Sequence, residues 1–143
     1  MPIKLTKFTT KDKELYKQAS KIRISVFVDE QKVSKEEEFD GLDDISTQYI
    51  VFFNEKPAGT GRLRETNDGY KLERFAVVKE FRGKNIGKEI LQAMLNDILP
   101  TNKNIYLYSQ LSAQKFYEKQ DFIPEGNVFV EAGIDHIKMI YKT

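Results

Sequence analysis

The feature that most restricts the fold is a change of hydrophobic period near residue 80. Residues 47–78 hold three β-prone segments, and the last two are separated by Asp68-Gly69, a dipeptide favoured in hairpin turns. After a polar loop, apolar residues recur every four positions, which predicts an amphipathic helix over residues 84–99. A chain with this order is expected to pack an antiparallel three-stranded meander against a long helix.

The remaining segments add elements on both sides of this unit. Apolar spacing predicts a first strand at residues 3–8 and a helix over residues 11–27, and the acidic residues 28–46 are expected to form a loop with one short helix. Further predicted elements are meander strands at 47–53, 58–64 and 70–78, a strand at 105–108, a helix over about 110–120, and strands near 126–131 and 134–141. The order β-α-β-β-β-α-β-α-β-β predicts an α/β fold with a mixed sheet, and 143 residues suit one domain, 1–143.

Composition argues against several classes of function. The 23 basic and 22 acidic residues leave a net charge of +1, whereas nucleic-acid-binding domains carry a marked positive excess. The chain has no cysteine and one histidine, so it lacks the ligands of a thiolate zinc site and the histidine pair of an H-E-x-x-H site. We therefore expect no metal and no nucleic-acid partner.

The chain also lacks the patterns of a membrane or exported protein. No apolar run approaches the ~20 residues that span a bilayer. The first residues do not show the basic and then apolar pattern of a signal peptide. We expect a cytoplasmic location without a membrane partner.

The most informative loop lies between the third meander strand and the long helix. Gly83 and Gly87 allow a close backbone approach, Asn85 tolerates a left-handed conformation, and Arg82 and two lysines add positive charge. Backbone N–H groups at a helix start have no intrahelical acceptor and lie at the positive end of the helix dipole, so they favour a phosphate group. Taken alone, the pattern fits a helix cap on a solvated turn equally well.

Two motifs together resemble the GNAT superfamily of acetyl-CoA-dependent N-acyltransferases. The segment 82–87 resembles the R/Q-x-x-G-x-G/A pyrophosphate loop, with Asn85 in place of the middle glycine. The segment 113–122 resembles A-x-x-F-Y-x-K-x-G-F, with Asp121 in place of the glycine. Asn and Asp are among the few residues that accept left-handed backbone geometry, so we expect both segments to keep their conformation.

Segments at both ends of the chain extend this resemblance to one branch of the superfamily. This branch consists of small bacterial acetyltransferases whose substrates are uncharacterised. The segments are Ile22-Arg23-x-x-Val26-Phe27-Val28-x-Glu30-Gln31, Glu38-Phe39-Asp40-x-x-Asp43 and Gly133-Ile134-Asp135-His136-x-x-Met139. The resemblance implies that the strand 73–77 parts from the strand after it, and that the pantetheine arm of acetyl-CoA lies in the gap. The cofactor-binding residues that it implies are Phe75, Ala76, Val77, Arg82, Gly83, Lys84, Asn85, Ile86, Gly87, Lys88, Phe116 and Lys119.

The resemblance also suggests how the reaction is catalysed. Tyr117 is expected near the thioester sulfur, where it could protonate the departing thiolate, although a core position would also suit this tyrosine. Acyl transfer needs a base for the amine; Glu73 is the first choice and His136 the second. Glu73 could instead pair with Arg74 or Arg64, and a lone histidine is more often structural.

The expected activity is the transfer of an acetyl group from acetyl-CoA to a primary amine. The acceptor would be a small molecule or peptide, and transfer would be direct, within a ternary complex. Arg23, Glu38 and Asp40 are the expected acceptor-binding residues, although the acidic segment could simply be solvated. The alternative is a non-catalytic sensor or interaction module that binds acyl-CoA without turnover. Edge strands near the C-terminus would allow a homodimer.

Overall fold

A computed structural model describes residues 2–142 as a seven-stranded sheet with helices on both faces. The strands are β1 (Ile3–Phe8), β2 (Thr47–Phe53), β3 (Lys56–Thr66), β4 (Gly69–Val77), β5 (Ile105–Gln110), β6 (Phe122–Glu131) and β7 (Ile134–Tyr141). The helices are α1 (Lys13–Arg23), α2 (Lys35–Glu38), α3 (Ile86–Ile98) and α4 (Gln114–Glu118). The predicted order is confirmed, and α2 is the short helix expected within residues 28–46.

The sheet is mixed, with strand order β1-β2-β3-β4-β5-β7-β6. The strands β1 to β4 pair antiparallel, so the predicted meander of β2, β3 and β4 is confirmed. The strands β4 and β5 pair in parallel, and β5, β7 and β6 continue antiparallel. The parallel pair therefore joins the two antiparallel halves of the sheet.

The predicted helix over residues 11–27 differs from the structure in one respect. The α-helix ends at Arg23, and the chain continues as a π-helix over Ile24–Glu30, in which the Gln31 N–H donates to the Val26 carbonyl five residues earlier at 3.1 Å. Apolar spacing cannot distinguish the two helix types over so few residues. The π-helix buries Val26 and Phe27 against the sheet.

Other bounds differ by a few residues. The strand β6 begins at Phe122 instead of near residue 126, because its first residues continue the pairing with β7. The predicted helix over 110–120 is a 3₁₀ turn, Leu111–Ala113, followed by α4. Among the helices within residues 2–142, none is long and apolar enough to cross a membrane.

The helix α3 packs against β3 at unusually close range. A Cβ atom on Gly59 would lie 2.6 Å from Cγ2 of Ile86, and one on Gly61 would lie 2.8 Å from Cγ2 of Ile90. Only glycine permits this approach, so the two glycines hold the start of α3 beside the sheet. The loop before α3 is thereby fixed next to the C-terminal end of β4.

Candidate functional site

A gap opens between the parallel strands β4 and β5. Three residue pairs join them, and the last is Leu72 with Leu107. Beyond this pair β4 continues to Val77 and β5 to Gln110 without further pairing between them. The predicted splayed strand pair is therefore confirmed.

A β-bulge at the start of the gap explains why the strands part. Arg74 and Phe75 of β4 stand opposite the single residue Gly61 of β3, and Arg74 has a positive φ of 59°. An extra residue of this kind bends its strand and increases the local twist, which turns β4 away from β5. A non-glycine residue in this conformation costs about 1–3 kcal/mol.

Ion pairs hold the bulge in place. The Arg74 guanidinium lies 3.2 Å from the Glu38 carboxylate and 3.1 Å from the Asp40 carboxylate. Both acidic residues come from the segment around α2, on the face of the sheet that carries α1. These contacts offset part of the backbone strain and attach the α2 segment to the bulge.

The gap is part of a cleft of about 1010 Å³. One part of its wall is made by residues close to α3 and α4, namely Phe75, Val77, Arg82, Ala113 and Tyr117. The other part lies on the α1 face of the sheet and is more polar, with Glu36, Glu37, Glu38, Asp40, Lys71, Glu73, Arg74, Tyr108, Gln110, Glu131 and His136. The parted strands therefore connect the region before α3 with a polar chamber on the opposite face.

The loop before α3 presents a row of free backbone donors. The N–H groups of residues 83–88 have no hydrogen-bond acceptor within the part of the chain that the structure describes, and the first helical bond runs from Glu89 to Asn85. Asn85 has a φ of 64° and Gly83 a φ of 82°, which turns the loop so that the helix can start. The predicted left-handed conformation of Asn85 is confirmed. Six consecutive free N–H groups at a helix start fit a diphosphate.

The side chains around this loop differ in their exposure to solvent. Arg82 and Lys88 are exposed, whereas Ile86 is buried in the core, so Ile86 can contribute only its backbone to a ligand. The Lys84 ammonium lies 5.2 Å from the centre of the Phe53 ring. Positive charge therefore surrounds the loop.

The helix α4 lies beside the same loop. A Cβ on Gly87 would be 3.7 Å from the Phe116 ring, so these two residues are in near contact. Asp121, three residues after the end of α4, has a φ of 70°, which confirms its predicted left-handed conformation, and Lys119 is exposed. The second motif is therefore built as expected, next to the first.

Two consecutive residues at the end of the π-helix cross the gap. The Glu30 carboxylate accepts two hydrogen bonds from Arg82, at 2.7 and 3.1 Å, and Arg82 also donates to the Val77 carbonyl at 3.0 Å. The next residue, Gln31, accepts a hydrogen bond from the Gln110 amide at 2.8 Å. One anchor thus lies at the end of β4 and the other at the end of β5.

Tyr117 lies where α4 meets the gap. Its ring packs edge-on against Phe75 and Phe116, with centroids 5.8 and 5.1 Å away. Burial raises the pKa of its hydroxyl well above the ordinary value. No hydrogen bond of this hydroxyl occurs within residues 2–142, so it remains available to a group in the cleft.

A buried ionic network fills the region between α1 and β3. Arg23 is 1% exposed and pairs with Glu38 and Asp43, both at 2.8 Å. Arg62 pairs with Asp43 at 3.0 Å and with Asp40 at 2.9 Å. Arg23 does not line the cleft, whereas Glu38 and Asp40 do. The structure thus gives Arg23 the role of holding the acidic segment.

The carboxylates of this network differ in acidity. Burial tends to raise the pKa of Asp43, but the hydrogen bond from the Tyr16 hydroxyl and the charge of Arg23 outweigh it, and that pKa is lowered. Burial dominates at Glu38 and raises its pKa, with Arg74 and Arg23 compensating only in part. The network is therefore anchored on ionised Asp43.

Glu73 lies at the cleft end of the same network. Its carboxylate accepts hydrogen bonds from Arg62 at 2.6 Å and from Arg64 at 3.2 Å, so the alternative of a pair with Arg64 is realised. Burial opposes ionisation, but the bond from Arg64 and the charge of Arg62 lower the pKa of Glu73. A carboxylate held in this way is a weak base.

His136 lies on β7 beside the end of β5. Its Nδ1 is 2.7 Å from the Ile134 carbonyl, and because a carbonyl only accepts, Nδ1 carries the hydrogen. In the neutral ring, Nε2 is then an acceptor, and it lies 3.9 Å from the Glu131 carboxylate. The ring stacks on Phe129 at 5.8 Å and lines the cleft.

Several cleft residues escaped the sequence-based prediction, among them Lys71, Tyr108, Gln31 and Gln110. Lys71 precedes Glu73 by two positions on a strand, and this alternation would have placed both side chains on one face. The contact between Gln31 and Gln110 joins residues 79 positions apart, and no local pattern indicates it.

Comparison with known proteins agrees with this geometry. Residues 12–143 match the family described as the Acetyltransferase (GNAT) domain. The uncharacterized N-acetyltransferase YjcF of Bacillus subtilis is 38% identical over 133 residues, which cover 91% of this chain and 94% of YjcF. An acyl-CoA N-acyltransferase from Pseudomonas aeruginosa superimposes with a TM-score of 0.84 at 25% identity, covering 98% of this chain and 99% of that one. Escherichia coli ElaA gives the same TM-score, identity and coverage. This chain therefore belongs to the GNAT superfamily of acetyltransferases.

Proposed function

We propose that this protein transfers an acetyl group from acetyl-CoA to a primary amine of a small molecule or peptide, directly and within a ternary complex. The observation that carries the proposal is the gap beyond Leu72 and Leu107, which leads from six free N–H groups to a polar chamber. A ligand with a diphosphate at one end and a narrow arm at the other fits this arrangement.

The residues that would hold acetyl-CoA follow from the site. The N–H groups of residues 83–88 would bind the pyrophosphate, supported by the charge of Arg82, Lys84 and Lys88. Backbone groups of Phe75, Ala76 and Val77, which have no partner on β5, would hold the pantetheine arm. Phe116 of α4 and Lys119, which directly follows α4, would contact the arm and the phosphates. When bound, acetyl-CoA would supply the acetyl group as a thioester.

Tyr117 is proposed as the general acid. Its raised pKa keeps the hydroxyl protonated at neutral pH, and the hydroxyl has no partner among the described residues. It could therefore donate a proton to a thiolate in the gap. Backbone N–H groups of β4 at the bulge are suitable donors for the oxyanion that forms during acyl transfer.

His136 is proposed as the group that accepts the proton of the amine, with Glu73 as the alternative. The free Nε2 of His136 lines the cleft. Glu73 also lines the cleft, but its carboxylate is already bonded to two arginines. Comparing His136→Gln with Glu73→Gln would separate them, since loss of the base lowers kcat by about 10²–10⁴.

The acceptor is proposed to enter the polar chamber between α2 and the β6–β7 hairpin. Glu38 and Asp40 line this chamber and are the proposed acceptor contacts from the acidic segment. A homodimer through the edge strand β6, and the absence of nucleic-acid and membrane partners, stay predictions.

The test is to mix the protein with acetyl-CoA and a panel of primary amines and to follow the release of free thiol. Thiol release that depends on both the amine and Tyr117 would support transfer. Binding of acetyl-CoA without amine-dependent release across the panel would contradict catalysis and favour the non-catalytic sensor.

A further inference from the structure

Lys71 is an amine in the chamber that the catalytic proposal does not use. It lies on β4, directly before the gap, and its side chain is 15% exposed and lines the cleft. Its ammonium is 4.1 Å from the centre of the Tyr108 ring and 3.3 Å from Oε1 of Glu73. These two contacts hold the Lys71 ammonium in one position on the chamber wall.

The one carboxylate near Lys71 already has other donors. Glu73 accepts from Nε of Arg62 and from Nε and Nη2 of Arg64. Apart from the ion pair with Glu73, the Lys71 ammonium has no acceptor among the side chains and carbonyls of residues 2–142, although an ammonium has three donors. Donors that are mostly buried normally find an acceptor, so this ammonium has capacity for a further anionic group.

The opposite side of the chamber offers groups that accept hydrogen bonds. His136 offers a free ring nitrogen there, and Glu131 adds a carboxylate. Two further carboxylates of the chamber, Glu36 and Glu37, lie exposed on α2, where water screens them, and Glu37 accepts a hydrogen bond from Ser34. The chamber therefore has a cationic wall on β4 and an amine-accepting wall on the β6–β7 hairpin.

We propose that the acceptor amine also carries a carboxylate, and that Lys71 binds this carboxylate while the amine lies towards His136. One available ammonium matches one negative charge, and the exposed ring of Tyr108 between the two walls would support the carbon chain of the acceptor. The acceptor class is then an amino carboxylate. This inference rests on the proposed function, because it concerns the acceptor of the same site.

The experiment compares ligands that differ only in the charged group. The protein is titrated by NMR with 5-aminopentanoate and with 5-aminopentanamide, both in the presence of saturating CoA and in its absence. We expect the carboxylate to bind about ten- to a hundredfold more tightly, as a charge-assisted hydrogen bond would produce. Lys71→Met should remove this preference, and Lys71→Arg should retain most of it.

Lys138 provides a matched control. Its ammonium also lies over a tyrosine on the same sheet face, 5.3 Å from the centre of the Tyr106 ring, but it does not line the cleft. Lys138→Met should leave the preference for 5-aminopentanoate unchanged.

Two results would overturn the inference: equal affinity of the wild-type protein for both ligands, or a preference that survives in a folded Lys71→Met variant. The CoA titration of the same samples is read separately. A protein that fails to bind CoA would contradict the proposed function, while the ligand comparison without CoA would still decide the role of Lys71.

Discussion

Leu72 and Leu107 form the last residue pair that joins β4 to β5, and the bulge at Arg74 follows two residues later. The sheet is thus intact on one side of this pair and open on the other. The opening connects the free backbone donors before α3 with the polar chamber on the α1 face.

The phosphate loop is tested at Gly87. Gly87→Glu should abolish CoA binding, because it places bulk and negative charge beside the free N–H groups, and the fold should survive. Gly87→Ala is the control, since a Cβ there meets its nearest neighbour at an ordinary 3.7 Å. Calorimetry with CoA measures both variants; unchanged affinity in Gly87→Glu would refute the role of the loop.

Tyr117→Phe tests the general acid. Turnover should fall by about 10²-fold or more, while acetyl-CoA affinity changes little, because the ring contacts with Phe75 and Phe116 remain. Thiol-release kinetics give kcat and calorimetry gives the affinity. Equal turnover in the two proteins would remove Tyr117 from the mechanism.

The ion pair of Glu30 with Arg82 should compete with CoA. The hydrogen bonds from Arg82 lower the pKa of Glu30, so this carboxylate is ionised at neutral pH and occupies a guanidinium that phosphate would use. Glu30→Gln should therefore bind CoA roughly two- to fivefold more tightly, the range of one exposed ion pair. Asp29→Asn removes the same charge from an exposed neighbour and should change the Kd less. Weaker binding by Glu30→Gln would show that the link across the gap assists CoA.

Asp43 should carry much of the stability of the ionic network. Asp43→Asn leaves Arg23 and Arg62 without a full partner in a buried site, which costs about 3–5 kcal/mol. Asp44→Asn is the matched control, because Asp44 is exposed and its side chain has one hydrogen bond within residues 2–142, from the Thr10 hydroxyl, and it should cost less than about 0.5 kcal/mol. Urea denaturation gives the free energy of unfolding of each variant. An equal loss of stability in the two variants would contradict the stabilising role of Asp43.

Stability should also fall in acid. Despite burial, the bond from Tyr16 and the charge of Arg23 lower the pKa of Asp43 below its unfolded value near 4. Its contribution is therefore complete above about pH 4 and is lost as the pH falls through the folded pKa. Glu38 acts in the opposite sense, since burial raises its pKa and favours the protonated form in the folded state. Unfolding at a series of pH values should show a smaller acid slope in Asp43→Asn than in the wild type.

Sequence patterns predicted the parts of the fold that depend on local periodicity. The meander and α3 followed from spacing and from the Asp68-Gly69 turn. The backbone at Asn85 and Asp121 followed from the few residue types that accept a positive φ. The gap followed from the family resemblance and not from any pattern in β4 itself.

Long-range charge pairing was not predictable in the same way. Arg23, expected at the acceptor, is buried because Glu38 and Asp43 fold back over it from a different segment. The π-helix was also missed, because residues such as Ile22 and Val26 suit either helix type. These features depend on which segments meet in space.

The most direct measurement is a crystal structure of the protein with CoA. We expect pyrophosphate oxygens at about 3 Å from the N–H groups of residues 83–88, with the pantetheine arm between β4 and β5 and its sulfur beside the Tyr117 hydroxyl. A structure in which CoA lies elsewhere, or in which β4 and β5 pair beyond Leu72 and Leu107, would contradict the proposed binding of acetyl-CoA.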